Sequence, residues 1–497
     1  MSVHPRHQSF GDQLRRRKPV VFRQHHHPGE ELARTITTFQ LMMFGVGATV
    51  GTGIFFVLSE SVPEAGPGVV LSFLIAGLAA GLSALCYAEL ASAIPVSGST
   101  YSYAYHALGE LVAVIIAGCV LLEYGVATSA VAVGWSGYFN ELLHATLGLR
   151  LPEALSSSFL PGPDGVATGG LINLPAVVLV LLCMLLLLRG ATESARVNAI
   201  MVLIKLGVLL IFSVIAFTAW QGDHFSNFMG SGIGGITAAA GTIFFSFIGL
   251  DAVATAGEEV KDPQRALPRA IMGALVIVTT VYILVAVAGL SAKSADWFST
   301  EEAQAAGLSQ ILNDVTGTQV WGTVLAAGAV ISIFSVTLVT LYGQTRILFA
   351  IGRDGLISKR FTEVSPRTMT PNFNVVVVSI VVALIAGFVP ADYLWDTVSI
   401  GTLVAFSVVA LGVLILRRTH PDLERPFRMP GYPVTPVLTI LACVWILIKL
   451  PLITWVIFLT WIALCVAFYL VYGRRRATLN FTTDPEVVGE SRDDEEK

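Results

Sequence analysis

FGVGATVGTGIF, Phe44–Phe55, is the stretch on which the reading of this chain turns. It lies inside an apolar run long enough to cross a bilayer, which takes about 20 helix-forming residues. Yet it sets Gly45, Gly47, Gly51 and Gly53 at mid-depth. Each glycine costs a helix roughly 1 kcal/mol relative to alanine. A ruptured helix also frees N–H and C=O groups that hydrocarbon cannot satisfy. Such a rupture is tolerated where the freed backbone lines a protected cavity and holds something polar.

Composition sets the context. The 497 residues are 54% hydrophobic and 13% charged, with a mean hydropathy of +0.74. Soluble domains carry about 25% charge, so the expectation is an all-α, polytopic membrane protein. No cleavable signal peptide is expected, because residues 1–37 are polar and carry Arg15, Arg16, Arg17 and Lys18 without an apolar core. His25, His26 and His27 in this tail read as solvated rather than metal-binding. The five cysteines, Cys86, Cys119, Cys183, Cys443 and Cys465, all fall in apolar runs. Their odd number and spacing give neither a disulfide framework nor a zinc site.

Twelve apolar segments are expected: Thr38–Ser59, Val69–Ala93, Leu108–Leu142, Leu174–Leu188, Ala195–Trp220, Gly235–Ala256, Ala266–Leu290, Gln319–Ile351, Val375–Val389, Leu394–Leu416, Pro436–Leu450 and Trp455–Tyr472. With the N-terminus in the cytoplasm, the outer loops hold Arg150, Lys293 and Lys449, and the spans hold Lys205 and Arg346. The other 25 of the 30 Lys and Arg then face the cytoplasm. This bias follows the positive-inside rule and puts both termini inside. The chain divides into an N-terminal tail (1–37), segments 1–5 (38–220), segments 6–10 (235–416), segments 11–12 (436–472) and a C-terminal tail (473–497). Segment 6, GTIFFSFIGLDAVATAGEE (Gly241–Glu259), is broken in its turn by Gly249 and Asp251. Segments 1 and 6 lie five spans apart. An odd number of spans per repeat inverts the halves, so the two interrupted helices meet near the midplane.

The broken segments carry the chemistry. Gly51-Thr52-Gly53 is expected to open segment 1 and present N–H groups at a half-helix N-terminus, which suits a carboxylate. Carbonyls of Ala48 and Thr49, with those around Phe245, Ser246, Phe247 and Ile248, suit an ammonium. Together they fit a zwitterion, an α-amino acid. Close helix packing by small residues is the competing explanation of the glycines. Lys205 lies about 10 residues into segment 5, roughly 15 Å deep, where insertion scales charge a lysine about 2.5–3.5 kcal/mol. It reads either as a proton-coupling group against segment 1 or as a charged strut. Glu123 sits mid-way along segment 3 and could attract a cationic side chain, pair with Lys205, relay protons, or stay protonated between helices. Phe245 is a candidate gate over the substrate. GEEVKDPQRALPRAI (Gly257–Ile271) and YGQTRILFAIGRDGLISKRF (Tyr342–Phe361) could pair across the inner mouth or could merely set topology.

Five stretches together carry a family resemblance. They are GVGATVGTGIF (Gly45–Phe55), LEYGVATSAVAVGWSGYF (Leu122–Phe139), ESARVNAIMVLIKLGV (Glu193–Val208), FFSFIGLDAVATAGEEVKDPQRALPRAI (Phe244–Ile271) and LYGQTRILFAIGRDGL (Leu341–Leu356). The chain resembles the amino acid–polyamine–organocation (APC) superfamily, and within it the cationic amino acid transporter family and its bacterial homologues. The resemblance implies a LeuT-type five-plus-five inverted repeat with two C-terminal helices. It implies that the Gly51–Gly53 amides take the substrate carboxylate, and that the backbone at Ala48, Phe245, Ser246 and Ile248 takes the amine. Lys205 stands where sodium-coupled relatives hold sodium, which implies proton coupling. Ile333 and Phe334 would face the side-chain pocket; their apolar bulk argues against a large cationic substrate.

The resulting expectation is a proton-coupled L-amino acid symporter of the plasma membrane, working by alternating access. An amino acid/amine exchanger or a non-transporting membrane sensor are the alternatives. An enzyme is not expected, since no nucleophile–base pair or metal spacing is visible. The expected partners are the amino acid, a proton and membrane lipid, with no cofactor, nucleic acid or obligatory protein partner.

Overall fold

The computed structural model describes residues 10–19, 32–161, 169–448, 450 and 452–480. His25–His27, Lys449 and the acidic end of the C-terminal tail lie outside them. Among the described residues the chain is helical, with a single isolated parallel bridge between Ile36 and Val260. The helices in chain order are α1 (Phe10–Arg15), α2 (Thr38–Thr49), α3 (Thr52–Ala65), α4 (Val69–Ala93), α5 (Ser99–Ala107), α6 (Glu110–Leu147) and α7 (Glu153–Ser156). They continue with α8 (Leu174–Leu187), α9 (Ala191–Phe217), α10 (Gly232–Phe244), α11 (Ala252–Thr255), α12 (Pro263–Ala292) and α13 (Glu301–Thr316). The remainder are α14 (Val320–Arg353), α15 (Asn372–Phe388), α16 (Ala391–Thr419), α17 (Val434–Leu447), α18 (Leu452–Phe468) and α19 (Arg474–Arg476).

Each apolar segment read from the sequence falls on a helix or an interrupted helix. Eight helical stretches are long and apolar enough to cross a membrane, and α8, α15 and α17 are shorter apolar helices. Large side chains such as Leu203, Leu210 and Val214 on α9, or Leu459 and Leu464 on α18, are exposed on the outside of the bundle. Side chains of this kind are at ease only against hydrocarbon, since lipid tails are as apolar as leucine.

Both expected ruptures are present. α2 stops at Thr49, Val50 and Gly51 leave helical geometry, and α3 resumes at Thr52. α10 stops at Phe244, a single 3₁₀ turn covers Phe245–Phe247, Ile248 is extended, and Gly249 takes φ +110°. The two breaks cross in contact. A Cβ at residue 249 would sit 2.9 Å from the Ala48 carbonyl oxygen, and one at residue 53 would sit 2.8 Å from Ser246 Oγ. Glycine is needed at 249 for both its dihedral and its clearance. α2 also packs on α9 and α12, and α14 packs on α6 and α9, so the crossing is enclosed by helices on several sides.

Five helices lie outside the expected segments: α1, α5, α13 and the short α7 and α19. α1 is a short amphipathic turn in the N-terminal tail, and α13 an amphipathic helix between segments 7 and 8. α5 (STYSYAYHA) has every residue buried although it is rich in polar groups. Its period does not mark it as apolar; neighbours do, through bonds such as Tyr87 OH with Thr100 Oγ1 at 2.7 Å and Tyr101 OH to Asp354 Oδ2 at 2.7 Å.

Gly249→Ala is expected to destabilise the protein by about 1–3 kcal/mol of backbone strain, with the Ala48 clash added. A melting curve in detergent checks this; an unchanged midpoint would mean that the two breaks do not meet.

Candidate substrate site

The ends of α2 and α10 leave main-chain carbonyls without helical partners. The protein satisfies several of them with side chains from three other helices. Lys205 on α9 is fully buried, and its Nζ donates to Gly47 O at 2.9 Å and Val50 O at 2.6 Å, with Ser335 Oγ at 3.5 Å. Ser332 Oγ on α14 donates to the same Val50 oxygen at 2.9 Å. Asn198 sits two helical turns before Lys205. Its Nδ2 donates to Met43 O at 3.0 Å, and its Oδ1 accepts from Ser335 Oγ at 2.7 Å. The last turns of α2 are thus held from α9 and α14 by one connected polar set.

A second anchor comes from α12. The Tyr282 hydroxyl lies 3.0 Å from both Thr49 O and Ser246 O, so one O–H bridges the carbonyls of the two ruptures. Thr49 Oγ1 turns back to Gly45 O at 2.8 Å. On the other side of the break Gly51, the residue that opens α3, has no side chain to cap the N–H groups that follow it. The Val336 side chain lies against Gly51, at 2.8 Å from where a Cβ would stand. Donor N–H groups and acceptor carbonyls therefore stand side by side at one crossing, which is the pattern a zwitterion needs.

The expected site residues divide as follows. Ala48, Thr49, Gly51, Gly53, Ser246 and the backbone at Thr52 meet at the crossing. Phe245 begins the 3₁₀ turn, half-buried, with its ring 6.3 Å from Phe244 and edge-on to it. Ile248 is the extended residue that follows. Lys205 reaches segment 1, as expected. Glu123 does not pair with Lys205: its Oε1 accepts from Thr402 Oγ1 on α16 at 2.5 Å. On α14 the side chains at the rupture are Ser332, Ser335 and Val336. Ile333 is fully buried between them in sequence, and the Phe334 carbonyl faces Cys183 on α8.

Sequence reading missed Asn198, Tyr282, Ser332 and Ser335. Each is an ordinary polar residue in an apolar helix, and only its partner gives it meaning. Asp251, noted in the sequence as a break in segment 6, accepts from Tyr124 OH at 2.7 Å. It also lines a small cavity with Ser83, Tyr87, Phe247 and Phe406.

One end of the bundle is sealed by charge. Glu259 accepts from Arg346 Nε at 3.1 Å and Nη2 at 2.8 Å, and Tyr342 OH donates to it too. The guanidinium carbon of Arg346 lies 3.9 Å over the Tyr342 ring, which stands 4.9 Å from the Phe44 ring on α2. Glu258 pairs with Arg353 and accepts from Ser97 N at 2.9 Å. The two polar stretches Gly257–Ile271 and Tyr342–Phe361 thus meet.

Comparison with known proteins gives the same direction. The amino acid permease family model matches residues 36–481. The chain is 41% identical over 455 residues to the branched-chain amino acid permease BcaP of Bacillus subtilis (strain 168), covering 91% of this chain and 95% of that one. It is 39% identical over 468 residues to the methylthioribose transporter of the same organism, covering 94% and 99%. To the vacuolar cationic amino acid transporter 2 of Arabidopsis thaliana it is 38% identical over 423 residues, covering 83% and 64%. With matches of this length across both broken helices, the chain belongs to the amino acid permease family of the APC superfamily, among the relatives of the cationic amino acid transporters.

Proposed function

We propose that this chain is a proton-coupled symporter for neutral, aliphatic L-amino acids, working by alternating access in the plasma membrane. Twelve transmembrane helices, arranged as two inverted repeats of five plus two, would place both termini in the cytoplasm. The observation that carries the reading is the bond pair from Lys205 Nζ to Gly47 O and Val50 O. It ties the one lysine of segment 5 to the backbone that would hold the substrate.

The geometry supports the following steps. The substrate carboxylate sits on the N–H groups that open α3, at Gly51, Thr52 and Gly53. The ammonium takes the carbonyls of Ala48, Thr49, Phe245, Ser246 and Ile248, displacing the Tyr282 hydroxyl from two of them. Phe245 covers the bound ligand. A charged Lys205 holds the end of α2 in place; after losing its proton it keeps fewer donors and no charge, so α2 is freer to swing. The Glu259–Arg346 and Glu258–Arg353 pairs join the segment 1, 2, 6, 7 bundle to α14 and close the inner mouth until then. A buried pair of this kind costs about 3–5 kcal/mol to break by removing one partner, so opening needs the substrate to compensate.

Three observations support an aliphatic substrate. Val336, which lies against Gly51, is apolar, and Glu123 is already engaged by Thr402. BcaP, one of the relatives, is named for branched-chain amino acids.

Two outcomes are expected. In proteoliposomes, Lys205→Met abolishes accumulation driven by an imposed pH gradient while exchange of labelled substrate persists; concentrative uptake with unchanged pH dependence would refute coupling through Lys205. A strict need for internal amino acid in the wild-type protein would instead favour an exchanger. Tyr282→Phe leaves carbonyls unsatisfied, which costs about 1–3 kcal/mol, so the ligand-free protein melts lower. Saturating substrate then restores more stability than it gives the wild type, because its ammonium replaces the lost donor. The substrate for that assay comes from a thermal screen of the common amino acids and methylthioribose, since a ligand that binds only the folded state raises the midpoint. A loss of equal size with and without substrate would place the ammonium elsewhere.

A further inference from the structure

The two terminal segments meet on the structure although they are 464 positions apart. Arg16 Nη1 donates to Asn480 Oδ1 at 2.7 Å, and Asn480 Nδ2 donates to Arg474 O at 2.8 Å. Both segments also share one carboxylate. Glu110, at the start of α6, pairs with Arg16 and accepts from Tyr469 OH at 2.6 Å and Tyr105 OH at 2.7 Å. Lys18 extends the N-terminal segment onto α14, bonding Asp354 at 2.6 Å, and the Thr478 N–H donates to Asp354 O at 2.9 Å from the other terminus.

This docking has an electrostatic result. The buried carboxylates consume Arg16 and Lys18. Arg15 and Arg17 on one segment, and Arg475 and Arg476 on the other, remain exposed beside them, with Arg474 half-buried between. These arginines sit where the last apolar helix ends. Just before them, Leu464, Phe468 and Val471 are exposed on the outside of the bundle, Val471 at 75%. Tyr472 stacks on Phe468 at 5.2 Å and accepts a 2.8 Å bond from Arg476, as an interfacial aromatic would. The arginine cluster is therefore at headgroup height, flanked by a lipid-facing apolar surface.

We propose that the joined terminal segments form a binding site for an anionic phospholipid, with Arg15, Arg17 and Arg475 taking the phosphate and the α18 face taking the acyl chains. The chemistry matches: guanidinium forks bind phosphate oxygens in pairs, and clusters of four to eight basic residues at a membrane boundary attract anionic headgroups. The neighbouring apolar face selects a lipid over a free phosphate. The proposal needs only a membrane-embedded chain and does not depend on the transport reading.

Native mass spectrometry of the full chain tests it, with dioleoylphosphatidylglycerol against dioleoylphosphatidylcholine as probes. The wild type is expected to retain the glycerol lipid preferentially. R15Q/R17Q/R475Q should lose about a hundredfold in its affinity, at about fivefold for each arginine. K261Q/R265Q/R269Q removes three exposed charges elsewhere at the same end of the bundle and should change it less than about twofold. Equal losses in both variants would mean diffuse charge attraction and would overturn the site, as would an unchanged R15Q/R17Q/R475Q. If the glutamine variant melts lower even in phosphatidylcholine, R15K/R17K/R475K decides: retained charge with weakened retention supports fork recognition, while wild-type retention refutes it. A melting shift by inorganic phosphate equal to that by the lipid would also refute it.

Discussion

Every unpaired peptide group in a hydrocarbon layer must find a partner inside the protein, and the rest of this structure is arranged around that constraint. Two helices break at the same depth and cross. Their freed carbonyls cannot turn to lipid. Lys205, Asn198, Ser332 and Tyr282 supply donors from α9, α14 and α12. At the start of α3 the N-cap residue is Gly51, which has no capping side chain. The asymmetry is plain: the acceptor half of the crossing is held by side-chain donors from three other helices, whereas the glycine that opens α3 has no side chain to offer the N–H groups after it.

The same logic organises the charged end of the bundle. Glu89, Glu110, Glu258, Glu259 and Asp354 are buried, and each has a cationic partner. Buried pairs of this kind add little net stability over an apolar core but are costly to break singly. Glu259 and Glu258 join the second broken segment to α14, whereas Glu110 and Asp354 gather the two terminal segments onto α5, α6 and α14.

Much of this was legible in the sequence. The glycines of Phe44–Phe55 and Gly241–Glu259 located both ruptures, because helix propensity is a local property and the surrounding apolar runs are unambiguous. Lys205 stood out because a lysine at that depth is costly, although coupling and a charged strut both remained open as its role. Less was legible where meaning depends on a partner. Glu123 left four readings open, and the structure gives it Thr402, a residue 279 positions away. Tyr282, Ser332 and Asn198 carry no sequence signal that separates them from other polar residues in membrane helices. α5 was unreadable for the same reason, since its burial comes from the tyrosine contacts around it.

The sequence by itself determined the all-helical character, the apolar segments and the positions of the two breaks, because these follow from hydropathy, period and backbone freedom over a few residues. Tertiary structure alone decided which side chains satisfy the freed backbone, how the acids and bases are paired, and that residues 15–17 stand beside residues 474–476. Those depend on where distant helices cross, and crossing is settled by packing over the whole bundle.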